Sequence, residues 1–179
     1  MQLSIRHSAF ALLLLSFIFI GCEDDFQTIP EPTFDNVPET MDISGAQEEE
    51  VTEGVIKYVV EEGNGPDNVT KRDAVSLYIT LRTEEGEIIY SSFQNDQTEP
   101  VDFQVASIQI VNNPQLDSYS QPRAYTDGLR DGLIGMQRGE RMVLIVEPEQ
   151  GFGNIFDGLL NTQYREATLR YDITLETIY

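Results

Sequence analysis

The sequence predicts an α+β domain, an antiparallel sheet of five or six strands wrapped over one short helix. Three observations predict it. Val75, Leu77, Ile79 and Leu81 alternate with Ser76, Tyr78, Thr80 and Arg82, the period-2 pattern of a half-buried strand. Leu169, Tyr171, Ile173 and Leu175 alternate in the same way with Arg170, Asp172, Thr174 and Glu176. Between these runs Leu129, Leu133 and Met136 recur at i, i+4 and i+7, on one face of a helix.

Ahead of the domain stands an N-terminal leader. Arg6 and His7 precede an almost wholly apolar run, Ala9 to Ile20. A run of about 12 residues is too short for a helix to cross a hydrocarbon core of roughly 30 Å. Residues 1–21 therefore read as a signal peptide. Gly21 and Cys22 follow directly, and Cys22 is the chain's single cysteine, which excludes an intramolecular disulfide. A small residue before cysteine at this point resembles a bacterial lipobox, which implies cleavage before Cys22 and lipid on its sulfur. Each buried methylene adds about 0.8 kcal/mol, so several acyl chains hold a protein firmly. Glu23, Asp24 and Asp25 resemble the surface-export signal of Bacteroidetes lipoproteins. A plain solvated tether is the alternative, and the membrane face stays open.

Residues 22–50 are polar, carry Pro30, Pro32 and Pro38, and end in Glu48, Glu49 and Glu50. They read as an acidic, disordered tether that leads to a domain over 51–179. Val55, Ile56, Tyr58, Val59 and Val60 form its first strand, stopped by Gly63 and Gly65. After the Val75–Leu81 strand, Glu85 and Gly86 turn the chain and Ile88–Tyr90 return it. Val101, Phe103 and Val105 alternate again. Asp127 reads as the helix N-cap and Gly139 as its end. Met142, Leu144 and Val146 make the next strand, closed by Pro148, and Leu169–Leu175 makes the last.

The formal charge of −20 excludes nucleic acid as a partner, because such a surface repels phosphate and offers nothing for counterion release. Catalytic reagents are scarce as well. The one histidine, His7, lies in the leader, and no residues carry zinc spacing. Gly151-Phe152-Gly153 lacks the third glycine and helix start of a phosphate loop. Serine occupies no nucleophile elbow, and no loop shows EF-hand ligands. Neither a metal nor a cofactor is expected. The chemistry left open is a reaction that needs no acid, base or nucleophile.

Four blocks carry a resemblance. They are Glu84-Glu85-Gly86 with Ile89-Tyr90-Ser91-Ser92, Asp127-Gly128-Leu129 through Gly139-Glu140-Arg141, Glu147-Pro148 with Gly151-Phe152-Gly153, and Ala167-Thr168-Leu169 with Tyr171-Asp172. In this order and spacing they resemble the FKBP-type peptidyl-prolyl cis-trans isomerases over about 51–179. The resemblance implies an FKBP-like fold and a dry pocket in which the bond before proline is twisted. It places Ile79 at the family's pocket Tyr, Ile89 at a Phe, Tyr90 at an Asp and Val101 at another aromatic. Tyr125 and Thr126 form the wall beside the helix, with the Thr126 backbone N–H offered to a substrate carbonyl. Leu129 replaces the usual Trp floor, Phe152 stands for the loop Tyr, and Tyr171 takes the closing-strand aromatic position. Singly, each is also what any such core would bury. The stretch 107–124 exceeds the family's connection before the helix, and is either a partner-binding rim or an idle loop.

The expected function is a lipid-anchored prolyl isomerase of the cell envelope, on the outer membrane and facing the periplasm or the surface. It would act on proline-containing exported clients as they fold. The lost aromatics and the Asp-to-Tyr change favour the alternative, a non-catalytic client-binding or assembly module on the same fold.

Overall fold

A computed structural model describes residues 31–105, 109–111, 126–154 and 162–179, with the backbone alone for 109–111. Pro32–Tyr179 form one compact unit. Its strands are β1 (Gln47–Thr52), β2 (Val55–Glu61), β3 (Ala74–Thr83), β4 (Ile88–Ser91), β5 (Val101–Gln104), β6 (Gln109–Val111), β7 (Arg141–Val146) and β8 (Leu169–Ile178). A short helix, α1 (Asp127–Leu133), precedes β7. One antiparallel sheet runs β1-β2-β7-β8-β3-β5-β6, and β4 pairs with the far half of β3. The α+β, FKBP-like expectation holds.

Eight strands replace the expected five or six, and the two additions have different causes. β6 begins inside the long connection before the helix, where three residues give no readable period. β1 is Gln-Glu-Glu-Glu-Val-Thr, with its first four residues exposed on the sheet edge. Acidic residues suit an exposed edge because they discourage pairing with another chain. Register gives this strand its partner: Glu49 stands opposite Lys57 and bonds it at 3.0 Å. Gly54, at φ +79°, makes the tight return into β2.

The expected tether over 22–50 is therefore corrected at its C-terminal end. Residues 47–50 are strand, and 33–46 run along the domain with hydrogen bonds to β8, β3 and the turn before β5. Most of its hydrogen bonds to the domain use the segment's own backbone, so the polar composition gave no sign of it.

The helix is also placed slightly differently. Thr126, not Asp127, is the N-cap, its side chain accepting from the Leu129 N–H at 3.2 Å. Asp127 is the first helical residue, where its charge suits the helix dipole and pairs with Arg130 at 2.6 Å. The helix stops at Leu133, and Gly135 takes φ +89° just beyond it. Met136 is still fully buried, so the apolar face was read correctly although it outlasts the helix. Gly139 instead opens β7, donating to the Leu175 carbonyl at 2.8 Å. Gly128 and Gly132 set the packing: added methyls would come within 2.5 Å of Val146 and 2.3 Å of Leu144. Their i, i+4 spacing turns one bare stripe of α1 onto β7.

Candidate functional site

Each candidate residue sits on a described element except Tyr125, which lies outside the described residues, as does Cys22. β3 supplies Ile79, β4 supplies Ile89 and Tyr90, and β5 supplies Val101. Thr126 and Leu129 come from the start of α1, Phe152 from the loop after β7, and Tyr171 from β8. Strand register brings the sheet residues to one face. Leu81 stands between Tyr90 on β4 and Tyr171 on β8, so the two tyrosines occupy one row. Ile79 and Leu77 continue that face, with Val101 opposite Leu77. The β4 register shifts between Tyr90 and Ile88, an irregularity that lets consecutive Ile89 and Tyr90 both be buried.

The helix end is joined to the sheet by a hydroxyl pair. Thr126 Oγ1 and the Tyr171 hydroxyl share a hydrogen bond at 3.1 Å. The same Thr126 oxygen caps the helix, so Tyr171 holds the first turn of α1 in place. Among the described residues, no acceptor takes the Thr126 backbone N–H. The Phe152 loop is fixed to the same place, because the Gly128 N–H donates to the Gln150 carbonyl at 2.8 Å. Gly153 donates back to Pro148 at 2.7 Å, and a methyl there would sit 2.4 Å from that carbonyl oxygen. The Pro-x-x-x-Phe-Gly sequence is thus a closed turn that seats a fully buried Phe152.

Two serines of the first block have roles the sequence did not disclose. Ser92 receives the Ile79 N–H on its side chain at 3.1 Å and donates its own N–H to the Ile79 carbonyl at 2.9 Å. Ser91 bonds Thr80 at 2.9 Å. These contacts pin the wall that carries Ile79 and Tyr90. The adjacent Ser-Ser after a strand was the available signal.

The described candidates are all buried. Val101, at 5%, is the most exposed of the eight described candidates. Burial pushes the phenols of Tyr90 and Tyr171 up, the Thr126 bond opposing the shift at Tyr171. Both stay neutral at ordinary pH. Among the described residues no group of three His, Cys, Asp or Glu side chains is placed to hold a metal. An apolar surface with one hydroxyl pair at a helix start can bind and reshape an amide; it offers no general acid or base.

Comparison with known proteins agrees with this fold. A family model for FKBP-type peptidyl-prolyl cis-trans isomerase matches residues 65–176. FK506-binding protein 1A of Aspergillus fumigatus is 29% identical over 100 residues, which span 56% of this chain and 74% of that protein. Among solved structures, a multi-domain immunophilin from Arabidopsis thaliana superposes with TM-score 0.54, covering 78% of this chain and 48% of that one. FkpA from Escherichia coli gives 0.52, with 73% and 51% covered. The three FKBP domains of wheat FKBP73 give 0.51, with 75% and 49%. Each solved structure is 18% identical, which is likeness of fold alone. The chain spans about half the length of those solved chains.

Proposed function

Because the chain belongs to the FKBP-type peptidyl-prolyl cis-trans isomerase family, we propose that it speeds rotation about bonds preceding proline in exported client proteins, and does so from a lipid anchor. One observation carries the catalytic part. Register and the Thr126–Tyr171 bond gather the family's blocks into one buried apolar site beside a helix start.

Rotation must break amide conjugation, a barrier of about 18–20 kcal/mol. The planar amide is the more polar state and the better solvated. A site without water therefore favours the twisted state by differential binding. The Thr126 N–H is the donor offered to the peptide carbonyl, and Phe152, Leu129 and Tyr171 supply apolar contact. A prolyl-isomerisation assay on the full chain tests this. Wild type accelerates the exchange; Phe152→Ala lowers the acceleration at least about tenfold, roughly 1.4 kcal/mol of transition-state contact. Tyr171→Phe, which keeps the ring but frees Thr126, has a smaller effect. No acceleration with several Xaa-Pro peptides, on a folded protein, would sink the enzyme reading.

That outcome would favour a second reading, a non-catalytic client-binding module. Tyr90 motivates it, since a buried tyrosine occupies the place where the resemblance expects a carboxylate.

The anchor rests on the apolar run before Gly21-Cys22. Among the described residues no helix is long and apolar enough to cross a membrane. Cys22→Ser is expected to move the protein from the membrane to the soluble fraction. A variant that stays with the membrane refutes the anchor.

A further inference from the structure

The N-terminal segment makes two separate attachments to the domain. At one end its main chain is held by charged side chains of β3 and β8. Arg82 donates to the Pro38 carbonyl at 2.6 Å, and Arg170 to the Met41 carbonyl at 2.6 Å. The Met41 N–H donates to Asp172 at 3.0 Å, and Asp172 in turn binds both arginines. Pro38, Glu39 and Thr40 are themselves exposed, so the grip is on backbone. This holds residues 38–41 on the sheet face opposite the candidate site, because Arg82, Arg170 and Asp172 alternate with Leu81 and Tyr171.

The other attachment is to the turn that links Tyr90 to Val101. Asn95 donates its N–H to the Thr33 carbonyl at 2.9 Å, and its side chain accepts the Thr33 N–H at 2.9 Å. Asn36 bonds Asp96. Asn95 and Asp96 both take positive φ, 54° and 60°, a left-handed region that Asn and Asp adopt more readily than other side-chain-bearing residues. On the sheet face away from the candidate site, half-buried Tyr78 stacks on Phe93 at 5.3 Å and donates to the Thr98 carbonyl at 3.3 Å. This turn is also held by the strap. Between the two attachments the Val37 N–H closes a turn onto Phe34, and both side chains are half-buried.

We propose that residues 33–41 form a strap that positions the Tyr90–Val101 wall of the candidate site, coupling the chain's N-terminal lead to the pocket. Docked, the strap holds the Gln94–Asp96 turn in its left-handed conformation. Released, by tension on the lead or by competition for the arginine–aspartate grip, it lets that turn relax and loosens the wall. Asn95 is thus a positioning residue. The pocket part of the proposal rests on the isomerase reading above, whereas the coupling between the two attachments does not.

The test perturbs one end and reads the other, in the full chain. Met41→Pro removes the N–H held by Asp172 and leaves every contact of Asn95 in place. Hydrogen exchange at the Asn95 and Gln97 amides is expected to rise at least about tenfold, with Ile173 in β8 still protected. The KM for a prolyl peptide rises with kcat unchanged. Asn36→Ala serves as the second variant: it loosens the opposite end, and exchange at Met41 is expected to rise. Faster exchange confined to the altered end in both variants overturns the coupling. If wild type shows no isomerisation, the exchange measurements still decide the strap, and the failure belongs to the enzyme reading.

Discussion

Replacing Asp172 with alanine is expected to destabilise the domain by about 3–5 kcal/mol, the usual cost of breaking a buried ion pair. Arg82 and Asp172 bond at 2.7 Å with 6% of each side chain exposed. Burial already lowers the Arg82 pKa, with Asp172 the main opposing influence. Without the carboxylate, two guanidinium groups face each other under residues 38–41, and the Met41 N–H loses its acceptor. Arg82→Met with Asp172→Ala should recover part of the loss, because the more buried of the two stranded charges is then gone. Urea unfolding of wild type, both single variants and the double variant measures this. A single variant within about 1 kcal/mol of wild type would mean that water reaches the cluster and that the pair contributes only as a surface pair does.

That cluster also marks where the sequence stops being legible. Alternation along β3 and β8 placed Leu77, Ile79, Leu81, Tyr171 and Ile173 on the core face, and all are buried. The same alternation assigned Arg82 and Asp172 to solvent. A second layer covers them, and it is made by a segment whose contacts are backbone carbonyls and an N–H. Main-chain atoms are common to every residue, so no pattern in 38–41 could announce this grip. β1 was missed for a related reason, since an edge strand facing water needs no apolar alternation. At the helix the sequence pointed to Asp127 as the cap, and the bond from the Leu129 N–H gives that place to Thr126. The core was more legible than its surroundings. Motif order placed Ile79, Ile89, Tyr90, Val101, Leu129, Phe152 and Tyr171, and the structure draws them into one buried cluster. What motif order could not carry was the supporting work of Ser91, Ser92 and the Thr126–Tyr171 bond, which depends on partners distant in sequence.

The two tyrosines that share a sheet row make stability fall steeply in alkali. Tyr90 and Tyr171 have folded-state pKa values raised above the ordinary 10.0, in each case chiefly by burial. A raised folded pKa means that the native state keeps a proton the unfolded chain has lost. Their contribution is complete below pH 10 and declines as pH climbs from 10 toward the folded value. Each group costs about 1.4 kcal/mol per pH unit in that window. The two losses add, so stability declines more steeply there than with either phenol alone. Titration of the full chain should therefore show tyrosinate absorbance in two stages. Tyr90 and Tyr171 belong to the later stage and ionise together with loss of the near-ultraviolet circular dichroism of the folded state. Other groups also titrate in alkali, so the comparison that isolates this pair is with Tyr90→Phe and Tyr171→Phe. Each variant should have a shallower decline above pH 10, by about 1.4 kcal/mol per pH unit, and the double variant should lose both increments. Tyr171→Phe also gives up the bond to Thr126 and begins from lower stability at neutral pH, whereas Tyr90→Phe gives up no hydrogen bond among the described contacts. If the variants decline as steeply as wild type, water reaches these phenols in the native state. The site is then open to solvent at that wall, and the dry environment on which amide twisting depends is absent.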